Sequence, residues 1–169
     1  MRDVRKNQIK SILYHVLIAF ITYIFIMGKY IYYVMPYSVG IFLLLFISLG
    51  MTLKDSEVPG ERAASVFVPL LINIALFIVG FAGAGGFADM ASGTESLYWI
   101  PLHMLNPNIT FMPYFIENAN PVIKYLTIII APSFLMYIGM RLGNTVRKKL
   151  NERVNKLDIK RPFGGKSNN

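Results

Sequence analysis

Apolar residues fill four long stretches of the chain, and polar residues separate them. The stretches cover about residues 9–27, 34–53, 64–88 and 122–142. A helix of about 20 residues is long enough to cross the hydrocarbon core of a bilayer, which is about 30 Å thick. The pattern therefore predicts an all-α integral membrane protein with four transmembrane helices.

Basic residues lie mainly on one side of these predicted spans. Of the 17 Lys and Arg residues, four occur at the start of the first stretch or before it, two between the second and third, and nine at or after the end of the fourth. Cytoplasmic segments of membrane proteins carry such an excess. We therefore predict that both ends of the chain are cytoplasmic (N-in/C-in) and that residues 89–121 form an external segment.

The composition supports lipid as the solvent and excludes several kinds of chemistry. Only 15% of the residues are charged, against about a quarter in soluble domains. The net charge of +8 lies in flanks beside apolar stretches, which predicts contact with anionic lipids of the inner leaflet and no nucleic acid. The chain has no cysteine, so it forms neither disulfides nor thiolate metal sites.

Two segments outside the spans have their own patterns. The external segment 89–121 contains an apolar cluster around Trp99 and an internal proline, Pro101, which predicts a helix that lies in the membrane interface or dips partway into it. The connection at 54–62 contains a Pro-Gly turn, which predicts a tight hairpin between the second and third helices.

The chain divides into a membrane domain, 1–142, and a basic cytoplasmic tail, 143–169. Apolar residues in the tail region recur every three or four positions, which predicts a basic amphipathic helix; they are Leu142, Val146, Leu150, Val154 and Leu157. Its basic residues are predicted to contact anionic lipid or a partner protein: Arg147, Lys148, Lys149, Arg153, Lys156 and Lys160.

Small residues cluster near the end of the third stretch. Glycines three or four positions apart allow two helix backbones to approach closely in a membrane. We therefore predict a helix-packing face that consists of Gly80, Gly83, Ala84, Gly85 and Gly86.

Few residues suggest chemistry. His15 and Asn73 lie within predicted spans and form a possible polar membrane site, although a hydrogen bond to a neighbouring helix is the favoured role of each. A possible external polar site, either a metal site or an acid–base pair, combines residues with irregular spacing: Asp89, Glu95, His103 and Glu117. No catalytic motif occurs, and we predict neither a cofactor nor a metal.

These features favour a non-enzymatic accessory, assembly or regulatory component of a complex in the bacterial cytoplasmic membrane. The bacterial origin is a compositional expectation, from the frequent Ile, Lys, Asn, Tyr and Phe. The expected partners are other membrane proteins or further copies of the chain. One alternative is a small homo-oligomeric transporter or channel with His15 and Asn73 along its path. Another is an envelope enzyme that uses the external acidic and histidine residues.

Overall fold

The structure is a computed structural model, and it describes residues 2–27, 31–86, 97–106 and 120–159. Within these ranges the regular structure is helical. The elements are α1 (Arg2–Met27), α2 (Ile31–Met51), α3 (Pro59–Gly83), a 3₁₀ turn (Leu97–Trp99), α4 (Ile100–Leu105) and α5 (Pro121–Ile159).

In the described part of the chain, three helical segments are long and apolar enough to cross a membrane. They are Asp3–Phe25, Pro59–Gly83 and Tyr125–Lys156. The prediction of an all-α membrane protein is confirmed to that extent. The remaining predicted span corresponds to α2. The apolar part of this helix, Gly40–Met51, is shorter than the other three segments.

The four long helices form a ring in the order α1, α3, α5, α2. Near their first turns, the Asn7 side chain of α1 donates a hydrogen bond of 3.2 Å to the Ser65 hydroxyl of α3, so these two helices run parallel. The predicted tight hairpin between α2 and α3 is wrong, because these helices lie on opposite sides of the ring. The connection between them crosses the end of the bundle instead.

The closest helix contact joins α2 and α5. A Cβ atom at Gly139 would collide with the carbonyl oxygen of Ile47, and one at Gly143 would collide with that of Met51. Residues four apart in a helix lie on one face, so the Gly-x-x-x-Gly spacing of α5 provides the flat surface on which α2 rests. From the sequence, close backbone packing is predicted for the third helix and not for Gly139 and Gly143.

The last helix is continuous over 39 residues, about 58 Å at 1.5 Å per residue. It begins at Pro121, passes the predicted boundary at residues 142 and 143 without a break, and ends at Ile159. The predicted tail helix is therefore the final part of the same helix that contributes the last apolar stretch.

If α2 and α5 are packed through glycine, a single added methyl group at that contact will weaken the fold. We expect Gly139→Ala to lower the free energy of unfolding by about 1–3 kcal/mol, because the extra atom has no room. Thermal unfolding of the purified protein in detergent measures the effect. Gly40→Ala is the matched control, since a Cβ at Gly40 has no neighbour within 4 Å. Equal melting temperatures for the two variants would contradict the contact.

Candidate functional site

Residues 97–106, here called the inserted segment, enter the bundle beside α3. Trp99 packs on Gly80, and the Asn106 side chain is hydrogen-bonded to that of Asn73. Gly80 and Asn73 are seven residues apart, so the segment descends about 10 Å along α3. The segment thus packs against the bundle, and its position relative to the membrane interface stays a prediction.

Aromatic packing holds the upper part of the inserted segment. Trp99 is 1% exposed, and its ring is stacked on Tyr125 of α5 with 4.6 Å between the centroids. Phe77 of α3 lies 5.7 Å from both rings. A Cβ at Gly80 would lie only 2.5 Å from the Trp99 ring, so glycine is needed where the indole meets the helix.

The five small residues predicted to form one helix-packing face do not act together. The helix ends at Gly83, and Gly85 and Gly86 follow with φ angles of 71° and 103°, a left-handed conformation that favours glycine. Ala84 is the C-cap, with its amide bonded to the Gly80 carbonyl. Only Gly80 and Gly83 make close contacts, and these are with aromatic rings of the inserted segment rather than with a helix backbone.

Asn73 and Asn106 form a buried amide pair at the lower end of the inserted segment. Asn106 Nδ2 donates to Asn73 Oδ1 at 3.0 Å, and Asn73 Nδ2 donates to Asn106 Oδ1 at 3.3 Å. Asn73 Nδ2 also lies 3.5 Å from the carbonyl oxygen of Ile128 in α5. Pro132 has no N–H with which to bond that carbonyl, so Asn73 supplies the hydrogen bond that the helix lacks.

His15 lies beside this pair, in the centre of the bundle. Its ring is 2% exposed and 5.7 Å from the Phe46 ring. The backbone of Leu105 and the side chain of Asn106 lie close enough to interact with the imidazole, although neither contact has the full geometry of a hydrogen bond.

The structure therefore brings the two residues of the predicted polar membrane site into one cluster, and Asn106 links them. Sequence reasoning did not select Asn106. The sequence contains one signal for it. Asn106 ends a segment that is too apolar for a solvated loop, and an amide side chain buried at such a place needs a hydrogen-bond partner.

The predicted external polar site falls mostly outside the described residues. This applies to Asp89, Glu95 and Glu117. His103 is described, and its Nε2 lies 3.4 Å from the hydroxyl of Tyr125. In the described part of the chain, no three His, Cys, Asp or Glu side chains gather as a metal site would require.

A second polar cluster, here called the basic-end clamp, fixes the connection between α2 and α3. Asn7 of α1 donates to the Lys54 carbonyl at 2.7 Å and accepts from the Lys54 amide at 3.2 Å. Asp55 is bonded to Arg62 of α3 at 2.8 Å and to Asn144 of α5 at 2.9 Å, with its carboxylate only 2% exposed. A buried carboxylate requires such partners, so residues from three helices determine where the connection lies.

Arg147 belongs to this clamp. Its guanidinium donates to the carbonyl oxygens of Met51 at 2.7 Å and Leu53 at 2.9 Å, and so caps the end of α2. This changes its predicted role, because these nitrogen atoms are engaged within the fold. The other predicted contact residues that the structure describes are exposed: Lys148, Lys149, Arg153 and Lys156. Lys160 lies outside the described residues.

Comparisons of the chain with protein families, curated proteins and solved structures give no match. The two polar clusters and the exposed surfaces are therefore the features that indicate a function.

If the Asn73–Asn106 pair holds the inserted segment in place, the effects of substituting the two residues will be energetically coupled. We expect Asn73→Ala and Asn106→Ala each to cost about 1–3 kcal/mol, because each leaves a buried amide without its partner. The double variant should cost at least about 0.5 kcal/mol less than the sum of the two. Reversible unfolding in mixed micelles measures all three. Strictly additive losses would mean that the two amides do not stabilise each other.

Proposed function

We propose that this chain is a non-enzymatic component of a larger membrane assembly and that it binds a partner protein through residues 148–159, the distal part of α5. In this proposal four spans hold the chain in the membrane, with both ends on the cytoplasmic side. The observation that carries it is an exposed apolar stripe on a helix that continues beyond the bundle.

The distal part of α5 has no cover among the described residues. The last contact with the rest of the bundle that involves a hydrogen bond is that of Arg147, and every described side chain from 148 to 156 is exposed. The apolar stripe remains uncovered, with Val146 54%, Leu150 59% and Val154 47% exposed. Because short isolated helices are only marginally stable in water, a partner that covers this stripe would also stabilise the helix.

The charges around the stripe indicate the kind of partner. Lys148, Lys149, Arg153 and Lys156 surround the apolar residues, and the acidic residues of the same part are Glu152 and Asp158. An apolar groove with an acidic rim is complementary to such a helix.

The course of α5 favours a protein over the membrane surface as the partner of this part. A helix that lies along the inner leaflet has to turn away from the span that precedes it. No helix break separates the span of α5 from its distal part, which extends about 18 Å past the clamp. Anionic lipid remains the expected neighbour of the basic residues close to the membrane.

The transporter and enzyme alternatives have less support. The Asn73 and Asn106 side chains are bonded to each other and to backbone groups, as expected of residues that hold helices together. His103 Nε2 lies next to the hydroxyl of Tyr125, in the aromatic packing of the inserted segment.

The proposed orientation can be tested by cysteine labelling, since the natural chain contains no cysteine. Glu57 and Asn120 are both exposed and lie at opposite ends of the bundle. A membrane-impermeant maleimide applied to intact cells should label Asn120→Cys and leave Glu57→Cys unlabelled until the membrane is permeabilised. Labelling of Glu57→Cys in intact cells would contradict the four-span arrangement.

Partner binding can be tested by placing a photoreactive amino acid on the two faces of the distal part of α5. Leu150 lies on the apolar stripe, and Glu152, two residues along, lies on the opposite face. We expect the Leu150 position to give one dominant protein cross-link in cells, at least five times stronger than that from Glu152. The same yield from both faces, or lipid adducts alone at Leu150, would count against a protein partner.

A further inference from the structure

A groove opens on the surface of the bundle between α3 and α5. Its cavity volume is about 200 Å³, and its walls include Ala63, Phe67 and Leu70 from α3 and Ile130, Phe134 and Tyr137 from α5. Phe67 is 45% and Phe134 56% exposed, so aromatic rings form the rims of the groove. A groove with this lining accepts a hydrocarbon chain.

Two cations continue the groove toward the basic end of the bundle. Arg141 follows Tyr137 by four residues, and Lys148 follows Arg141 by seven, so both lie on the face of α5 that lines the groove. Both side chains are exposed. Arg141 is about 6 Å farther along the helix axis than Tyr137, within reach of a group bound at the mouth of the groove. The face is thus apolar at one end and cationic at the other.

We propose that this groove binds an anionic phospholipid, with one acyl chain between α3 and α5 and the headgroup phosphate held by Arg141 and Lys148. Charge complementarity decides the occupant: two cations beyond an apolar groove match a lipid that carries net negative charge. A second copy of the chain is a poorer match, because a symmetric contact through this face would bring Arg141 and Lys148 close to the same cations of the other copy. The proposal rests on the membrane placement described above, and Lys148 is the one residue that it shares with the surface proposed for a partner protein.

The test uses the full-length protein in phosphatidylcholine nanodiscs that contain a trace of phosphatidylglycerol with a photoreactive acyl chain. After illumination, mass spectrometry of the digested protein locates the adducts. We expect adducts within residues 63–70 and 130–137, at a yield several times that of photoreactive phosphatidylcholine at the same concentration. Equal yields from the two lipids would overturn the proposal.

Paired variants separate the groove from the rest of the surface. Arg141→Gln with Lys148→Gln should weaken phosphatidylglycerol binding about 30-fold in a native mass-spectrometry titration, from about fivefold per surface cation. Lys6→Gln with Lys10→Gln removes the same charge from exposed positions of α1 and should change binding by less than threefold. Similar losses of affinity in both double variants would mean that the net positive charge of the protein attracts the lipid without a specific site. That result would overturn the proposal.

A steric variant tests the acyl-chain position. Ala63→Phe fills the groove and should abolish the adducts, whereas Ala75→Phe, an exposed alanine of α3 outside the groove, should leave them unchanged. Unchanged adducts in a folded Ala63→Phe variant would overturn the proposal. If that variant does not fold, the charge pairs decide. Cross-links between two protein copies at the groove, in place of lipid adducts, would identify a self-association surface and also overturn the proposal.

Discussion

The arrangement of this bundle depends on side chains that supply hydrogen bonds to backbone groups of other helices. A carbonyl without a partner costs several kcal/mol where lipid replaces water. Asn73 bonds the Ile128 carbonyl that a proline leaves without its helix partner, and Arg147 caps the end of α2. Asn7 pairs with both backbone groups of Lys54 in the connection that follows α2. Each of these bonds joins one helix to another helix or to the connection between α2 and α3, so satisfying the backbone also helps to determine which segments are neighbours.

Apolar packing between the helices adds to these hydrogen bonds. Because the basic-end clamp ties the end of α2 to α5, the two helices run side by side, and Gly139 and Gly143 let their backbones touch. On the other side of the ring, α3 and α5 are joined in part by the inserted segment, whose Trp99 and Leu102 are almost fully buried. A segment of ten residues is too short to span a bilayer. It is held there by the hydrogen bonds of Asn106 to Asn73 of α3 and by the packing of Trp99 on Tyr125 of α5.

Sequence alone predicted the features that depend on local composition. The apolar stretches contain the long helices, and the described basic residues from Lys148 to Lys156 are exposed, as their density in a helix that passes the clamp requires. Helix pairing was not predictable in the same way. Arg147 and Lys148 are adjacent and both basic. Successive residues of a helix are rotated by about 100°, so Arg147 points towards α2 and Lys148 points outward. Likewise Gly83 and Gly139 both suggest close packing, and only the positions of the surrounding helices decide that the first meets an aromatic ring and the second a backbone.

The polar cluster contains two kinds of residue that sequence reasoning had treated alike. Asn73 has a clear role in stability, since its amide serves both Asn106 and the Ile128 carbonyl. His15 is equally buried, and its polar neighbours are the Leu105 backbone and the Asn106 side chain, both from the inserted segment. These contacts lack the full hydrogen-bond geometry of the asparagine pair. Asn106 therefore contacts both Asn73 and His15, so the end of the inserted segment joins two polar side chains that the sequence places in separate predicted spans.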